Sequence, residues 1–277
     1  MISRRIALTG LAGLTVTGCA GRRPPPTPQA IAEATTTATT RPAVPGLDAV
    51  IDISHNVTVS DFSSVRRRSN ILAVVHKATE GGDWVDPSYS MRRPEAEAAG
   101  LLWGAYHFGT HQYSGERQAA AFLAAAQPGP TTLMALDFEP NDANWRNTMN
   151  LAQAEAFVRA IQRSTGRLPL VYTHPSWANG ERSGRAGVKL RDAVNSASIL
   201  AQCDLWLADY REEPEVPFAW TQRSWRLWQY AGDETEADAA YGSVPRAVAG
   251  VSHCDRNLFA GDASALHRYW NSPAGTT

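Results

Sequence analysis

From residue 46 onward, short apolar runs alternate with amphipathic stretches. Runs at 49–54, 71–77, 101–108, 132–139 and 168–173 are rich in Val, Ile, Leu and aromatic side chains. Their length and content are those of buried strands. Between them, 88–99, 115–126 and 152–165 carry apolar residues at helical spacing. In the last of these, Leu151, Ala154, Phe157, Val158 and Ile161 share one face, and Gly166 supplies the stop. Strands that alternate with helices predict a parallel sheet. After residue 200 the rhythm changes: 205–210 and 225–230 read as strands with little helix between them. The pattern predicts a single α/β barrel domain over 46–271, β/α in its first part and mostly β in its last, followed by a tail at 272–277.

The residues ahead of this domain have a different character. Arg4 and Arg5 precede an apolar run at 6–16 that is too short to span a bilayer. Ser3-Arg4-Arg5-Ile6-Ala7-Leu8 is similar to a twin-arginine export signal. Val16-Thr17-Gly18-Cys19 resembles the lipobox of bacterial lipoproteins, in which the Cys becomes the lipidated N-terminus. The expectation is a signal peptide over 1–18 and a lipid on Cys19; the plainer alternative is a signal peptide with a chance Cys. The stretch 19–45 is rich in Pro, Thr and Ala, buries too little apolar surface to fold, and reads as an extended linker. An exported protein, held to a membrane and facing the periplasm or cell wall, follows.

Composition narrows the function classes. A formal net charge of −1 leaves no basic surface to hold nucleic acid. Nine Trp residues exceed what a core needs and suit a sugar-binding cleft, where flat rings cover pyranose faces. Cys203 and Cys254 remain in the exported part, and an oxidising compartment would let them pair. Two unrelated buried thiols fit equally well.

The chemistry concentrates at strand ends. Val50-Ile51 runs into Asp52, Leu133-Met134-Ala135-Leu136 into Asp137-Phe138-Glu139, and Leu205-Trp206-Leu207-Ala208 into Asp209. In parallel barrels the carboxyl ends of the strands carry the active site. Side chains at i and i+2 of a strand share a face, so Asp137 and Glu139 are expected to point together into the barrel mouth. Two acids so close do not ionise independently, and the less exposed one keeps its proton longer. Cleavage of a glycosidic bond needs a protonated acid beside a group that offsets positive charge at the anomeric carbon.

These residues and their surroundings resemble the glycoside hydrolase family 25 lysozymes, the Chalaropsis-type muramidases. The matching stretches are Ile51-Asp52-Ile53-Ser54-His55, Lys77-Ala78-Thr79-Glu80-Gly81, Gly104-Ala105-Tyr106-His107-Phe108, Leu136-Asp137-Phe138-Glu139, Leu170-Val171-Tyr172-Thr173, Leu205-Trp206-Leu207-Ala208-Asp209-Tyr210 and Leu227-Trp228-Gln229-Tyr230. The resemblance implies a TIM-like (β/α)5(β)3 barrel. It implies cleavage of the β-1,4 bond between N-acetylmuramic acid and N-acetylglucosamine in peptidoglycan, with Glu139 as general acid and Asp137 as its partner. Asp52 and Asp209 would complete the acidic cluster, and Asp255 would be structural. Two departures stand out: Asn56-Val57-Thr58 replaces a His-x-Gln segment common in the family, and 182–198 reads as a variable loop that reshapes the cleft.

Tyr106, Tyr172, Tyr210, Trp228 and Glu80 are the substrate-binding candidates. Trp206 and Tyr230 fit a sugar platform or the core. His55 and His107 come from different strands and lack metal-ligand spacing, so no metal and no cofactor is expected. No phosphate loop and no G-x-S-x-G elbow is present. The expected partners are peptidoglycan glycan strands and, through Cys19, a membrane; the chain is taken as a monomer. A non-catalytic peptidoglycan-binding lipoprotein is the alternative. A chitinase-like hydrolase fits less well, because Ala135 stands where that enzyme's D-x-x-D-x-D-x-E pattern needs Asp.

Overall fold

The computed structural model describes residues 46–232 and 247–272. The expected signal peptide, Cys19, the 19–45 linker and residues 273–277 lie outside the described residues. Within them the strands are β1 (Leu47–Ile53), β2 (Ala73–Glu80), β3 (Trp84–Val85), β4 (Leu102–Phe108), β5 (Leu133–Asp137), β6 (Leu170–Thr173), β7 (Leu205–Ala208), β8 (Trp225–Ala231) and β9 (Asp255–Phe259). The helices are α1 (Phe62–Arg68), α2 (Tyr89–Ala98), α3 (Gly115–Ala126), α4 (Leu151–Thr165), α5 (Pro175–Ala178) and α6 (Ala263–Asn271).

Pairing runs β1-β9-β8-β7-β6-β5-β4-β2, and β1 also pairs with β2, so eight strands close into a barrel. The strands from β1 through β8 are parallel in the ring, while β9 runs antiparallel between β8 and β1. β3 lies outside the ring, as a short antiparallel partner of the end of β2. The barrel is thus β/α early and mostly β late, as the residue pattern predicts.

One row of side chains per strand faces inward, and each row changes character along its length. Val50, Ala73, Val75, Leu133, Ala135, Leu170, Trp206, Leu227 and Phe259 fill the interior. Two residues further toward the mouth come Asp52, Lys77, Asp137, Tyr172, Gln229 and Asn257. The period-two geometry of a strand therefore stacks a polar layer directly on an apolar one. α6 closes the opposite end: Leu266 and Trp270 join the interior cluster, and Trp270 Nε1 donates to the carbonyl of Trp103 near the start of β4, at 2.9 Å.

The outer helices follow from local chemistry. α4 starts in a capping box, in which Asn150 accepts from the Gln153 backbone and Gln153 reaches back, and stops at Gly166 in a left-handed conformation (φ 73°). α3 is capped by Ser114 and ends at Gln127, itself left-handed (φ 42°). Five elements escape the apolar pattern, the four-residue α5 among them. α1 is short and ends in Arg66-Arg67-Arg68. β3 has two residues. β9 buries Arg256 and Asn257 where an apolar run would have marked a strand. α6 shows only Leu266 and Trp270 on its buried face.

Gly115 brings α3 against α4. A Cβ there would collide with the Gln153 carbonyl oxygen and come within 2.6 Å of the Phe157 amide. Backbone on a well-capped helix cannot yield as a side chain can. Gly115→Ala is expected to cost roughly 1–3 kcal/mol, the usual range for overpacking, read as a lowered Tm. A Tm equal to that of the wild type would show that the two helices part freely.

Candidate active site at the mouth of the barrel

The polar layer is held together by hydrogen bonds between neighbouring strands. Asp52 accepts from Gln229 Nε2 at 3.1 and 3.2 Å and from Asn257 Nδ2 at 2.8 Å. Gln229 Oε1 in turn accepts from the hydroxyls of Tyr172 and Tyr210, each at 2.9 Å. The amide of Gln229 thereby couples a buried carboxylate on β1 to two phenols at the cleft. Below them, Tyr106 and Tyr172 both set their rings edge-on against Trp206. Lys77 enters from β2; its Nζ pairs with Glu80 at 2.7 Å and lies over the rings of Trp84 and Phe108.

β5 ends at Asp137 rather than at Glu139. One more backbone bond, from the Phe138 amide to the Tyr172 carbonyl at 2.9 Å, keeps the chain alongside β6. Phe138 turns away from the mouth and packs against Trp177. Asp137 is 8% exposed, and its Oδ1 has no hydrogen-bond partner among the described residues. Burial, followed by the nearby charge of Glu139, holds its carboxyl well above the usual range, while Lys77 pulls the other way. Burial also raises Glu139, to about 7, helped by Asp142 and Asp52 and opposed by Lys77. Low dielectric and mutual repulsion thus keep a proton in this pair near neutral pH. Burial and these acids push the hydroxyls of Tyr106 and Tyr172 well above 10, so both remain donors.

Glu139 opens into a cleft of about 470 Å³ whose walls include Tyr172, His174, Asp209, Tyr210 and Arg211. His174 caps α5, contacts the hydroxyls of Ser176 and Ser183 at 3.1 Å, and is held neutral by burial, its pKa lowered to about 4. A carboxylic acid that keeps its proton at the edge of an open cleft, with a second carboxyl beside it, has the components of glycosidic acid catalysis.

Comparison with known proteins decides the family. The model of glycosyl hydrolases family 25 matches residues 51–238. This chain belongs to glycosyl hydrolase family 25. It is therefore a glycoside hydrolase. The chain is 28% identical over 239 residues to lysozyme M1 of Streptomyces globisporus, covering 81% of this chain and 71% of that protein. It is 33% identical over 117 residues to the N,O-diacetylmuramidase of Chalaropsis sp., covering 38% and 56%. The crystal structure of the bacterial lysozyme from Streptomyces coelicolor superposes with a TM-score of 0.65 at 28% identity, over 82% of this chain and 97% of that one.

The structure sorts the residues predicted for the family 25 site. Asp52, Asp137, Glu139, Tyr106 and Tyr172 come together at the mouth, and Tyr210 stands at its rim, 36% exposed. Asp209 reaches the same cleft but as a clamp: Arg211 donates to both of its oxygens at 2.8–3.1 Å, and the Glu215 amide adds 2.8 Å. Glu80 belongs to a separate pocket of about 170 Å³ with Trp84 and Tyr113.

Trp228 needs correction as a sugar platform. It is fully buried on the outward face of β8, and its indole N–H donates to the Asp209 carbonyl. Trp206 is core, and Tyr230 is buried with its hydroxyl donating to Asp48. His55 bonds Asp86, whereas His107 bonds Thr79 and Gln118 and stacks on Phe157. Cys203 and Cys254 are free thiols, Cys203 buried, so the open question of pairing resolves against a bridge.

Lys77, Gln229, Asn257, His174 and Asp142 were not singled out from the sequence. The first three sit in inward rows two residues beyond an apolar position, so counting in twos along each strand would have found them.

Charging Asp137 and Glu139 opposes folding, because their folded pKa values lie above the unfolded ones. Stability from such groups is complete below the unfolded pKa and lost as pH rises through the folded value, about 7 for Glu139. Asp137→Asn and Glu139→Gln should therefore raise Tm above neutral pH, by roughly 2–4 °C per kcal/mol relieved. The gain should vanish at about pH 4, where the reference carboxyls hold their protons. A gain of equal size at both pH values would show that it comes from packing and not charge.

Proposed function

We propose that this family 25 enzyme is an exported muramidase that cleaves the β-1,4 bond between N-acetylmuramic acid and N-acetylglucosamine in peptidoglycan. The observation that carries the reading is Glu139, protonated to about pH 7 at the edge of the cleft, beside the more deeply buried Asp137. The relatives named lysozyme and muramidase support the substrate class. A merely glycan-binding protein would have no use for two acids held in so costly a state.

Glu139 gives its proton to the glycosidic oxygen as the bond to the anomeric carbon breaks. The carbonyl oxygen of the substrate's own N-acetyl group closes on that carbon from the opposite face, and Asp137 orients the acetamido N–H and offsets its positive charge. Water then opens the ring with Glu139, now a carboxylate, as base. The product keeps the β configuration, and no enzyme nucleophile is required. Asp52 and Asp209 act at one remove, Asp52 through Gln229 and Asp209 by holding the 209–215 loop.

Glu139→Gln should lower kcat by roughly 10²–10⁴-fold, the usual contribution of general acid catalysis, with the fold intact. For the wild type, kcat/KM should fall as pH rises through about 7, because the acid loses its proton there. NMR of fresh digests should show the β-anomer first. Near-normal turnover by Glu139→Gln would remove the acid from its role, and an α-anomer would remove the substrate-assisted route.

The export reading extends to the lipobox-like Val16-Thr17-Gly18-Cys19 and the 19–45 linker, which together suit a catalytic domain tethered to a membrane. Cys19→Ser should shift the protein from the membrane fraction to the soluble one. Unchanged fractionation, with no lipid mass on Cys19, would sink the tether.

A further inference from the structure

A second groove, of about 540 Å³, lies between the 141–150 segment and the 182–192 loop. Its cations are Arg146, Lys189 and Arg191, set against one acid, Asp192. All three cations are exposed. Among the described residues none of them forms an ion pair, whereas neighbouring Arg185 is already bound to Asp142. Arg146 lies over the ring of Trp145, its Cζ 4.4 Å from the centroid, and Trp145 is 47% exposed. Leu151 and Val188, both half-buried, add apolar wall.

The groove and the active-site cleft have no lining residue in common, but the 182–192 loop connects them. The Arg185 amide donates to Asp142 Oδ1 at 2.8 Å, which seats the 182–192 loop on the segment that follows Glu139. Asp142 also acts electrostatically on Glu139. The loop's other flank supplies Glu181 to the catalytic cleft, and His174 holds it through Ser183. A chain lying in the cleft at Glu139 would direct toward this groove a substituent that points along residues 141–150.

Peptidoglycan strands carry such a substituent. The lactyl group of N-acetylmuramic acid bears a short peptide with alanine methyl groups and free carboxylates. Unpaired guanidinium and ammonium groups match the carboxylates, and the surface of Trp145, Leu151 and Val188 matches the methyl groups. We propose that this groove binds the acidic stem peptide of the strand being cleaved, so that the enzyme favours peptide-bearing glycan over bare glycan. The inference rests on the muramidase reading. A phosphate-rich wall polymer would match the cations but leave the apolar wall unused.

The test compares wild type with Arg146→Ala/Lys189→Ala/Arg191→Ala on two soluble substrates, peptide-bearing strands and the same strands stripped of peptide by an amidase. On peptide-bearing strands KM should rise roughly three- to tenfold with kcat unchanged, as expected for a few exposed charge contacts. On stripped strands both constants should stay at wild-type values, which also verifies the fold. The wild-type preference for peptide should shrink as salt is added. An equal KM rise on both substrates, or none on either, would overturn the proposal. So would inhibition by a wall teichoic acid that the triple variant escapes, with no effect of the peptide. If wild type cleaves neither substrate, the muramidase reading fails by itself. Titration of a muramyl tetrapeptide onto both proteins then decides the groove: weaker binding by the variant supports it, and equal binding overturns it.

Discussion

Everything at the mouth of this barrel depends on one electrostatic constraint: three carboxyl groups, Asp52, Asp137 and Glu139, share a poorly solvated space with a single nearby ammonium. Full ionisation of all three would place mutually repelling charges in low dielectric, at a cost that no surface pair approaches. The surrounding protein resolves this unevenly. Asp52 receives the amide N–H groups of Gln229 and Asn257. Lys77 offsets part of the charge on the other two but is itself shared with Glu80. Asp137 is left with an oxygen that nothing among the described residues satisfies. The surplus is settled by retaining a proton in the pair near neutral pH.

The same constraint explains why the groups around Asp52 are neutral donors. The tyrosine hydroxyls of residues 172 and 210 converge on one amide oxygen of Gln229, and the other end of that amide faces Asp52. Because an amide has a fixed donor end and a fixed acceptor end, its orientation is dictated from both sides. A carboxylate in its place would repel Asp52, and an amine could not receive the phenols. Asp209 is handled differently: Arg211, two residues on, donates to both of its oxygens and offsets its charge while also pairing with Glu215.

Much of this was legible in the residues. Strand-end acids after apolar runs located Asp52, Asp137, Glu139 and Asp209, because a charged group there needs a reason to be desolvated. They did not separate the roles, since Asp209 differs from Asp52 only through Arg211, a loop residue whose reach no periodicity reveals. Attention to ring chemistry favoured Trp228 over its neighbour, although alternation from the inward Leu227 turns Gln229 toward the site and Trp228 away from it. β9 left little trace because its inward position carries Asn257, a polar residue placed for Asp52 and not for the core. The residues that were hardest to read are those whose types answer to a distant partner and not to their own segment.

The antiparallel insertion of β9 between β1 and β8 has a consequence for the order of events during synthesis. Asp52 and the amide of Asn257 lie 205 positions apart in the chain. A ribosome that has delivered every catalytic carboxyl has still not delivered the strand that seals the ring and fixes the first of them. Loop closure over such a span comes late, after local helix and strand contacts have formed. A chain clipped before residue 255 would lack both the strand that closes the ring between β8 and β1 and the amide that Asn257 gives to Asp52.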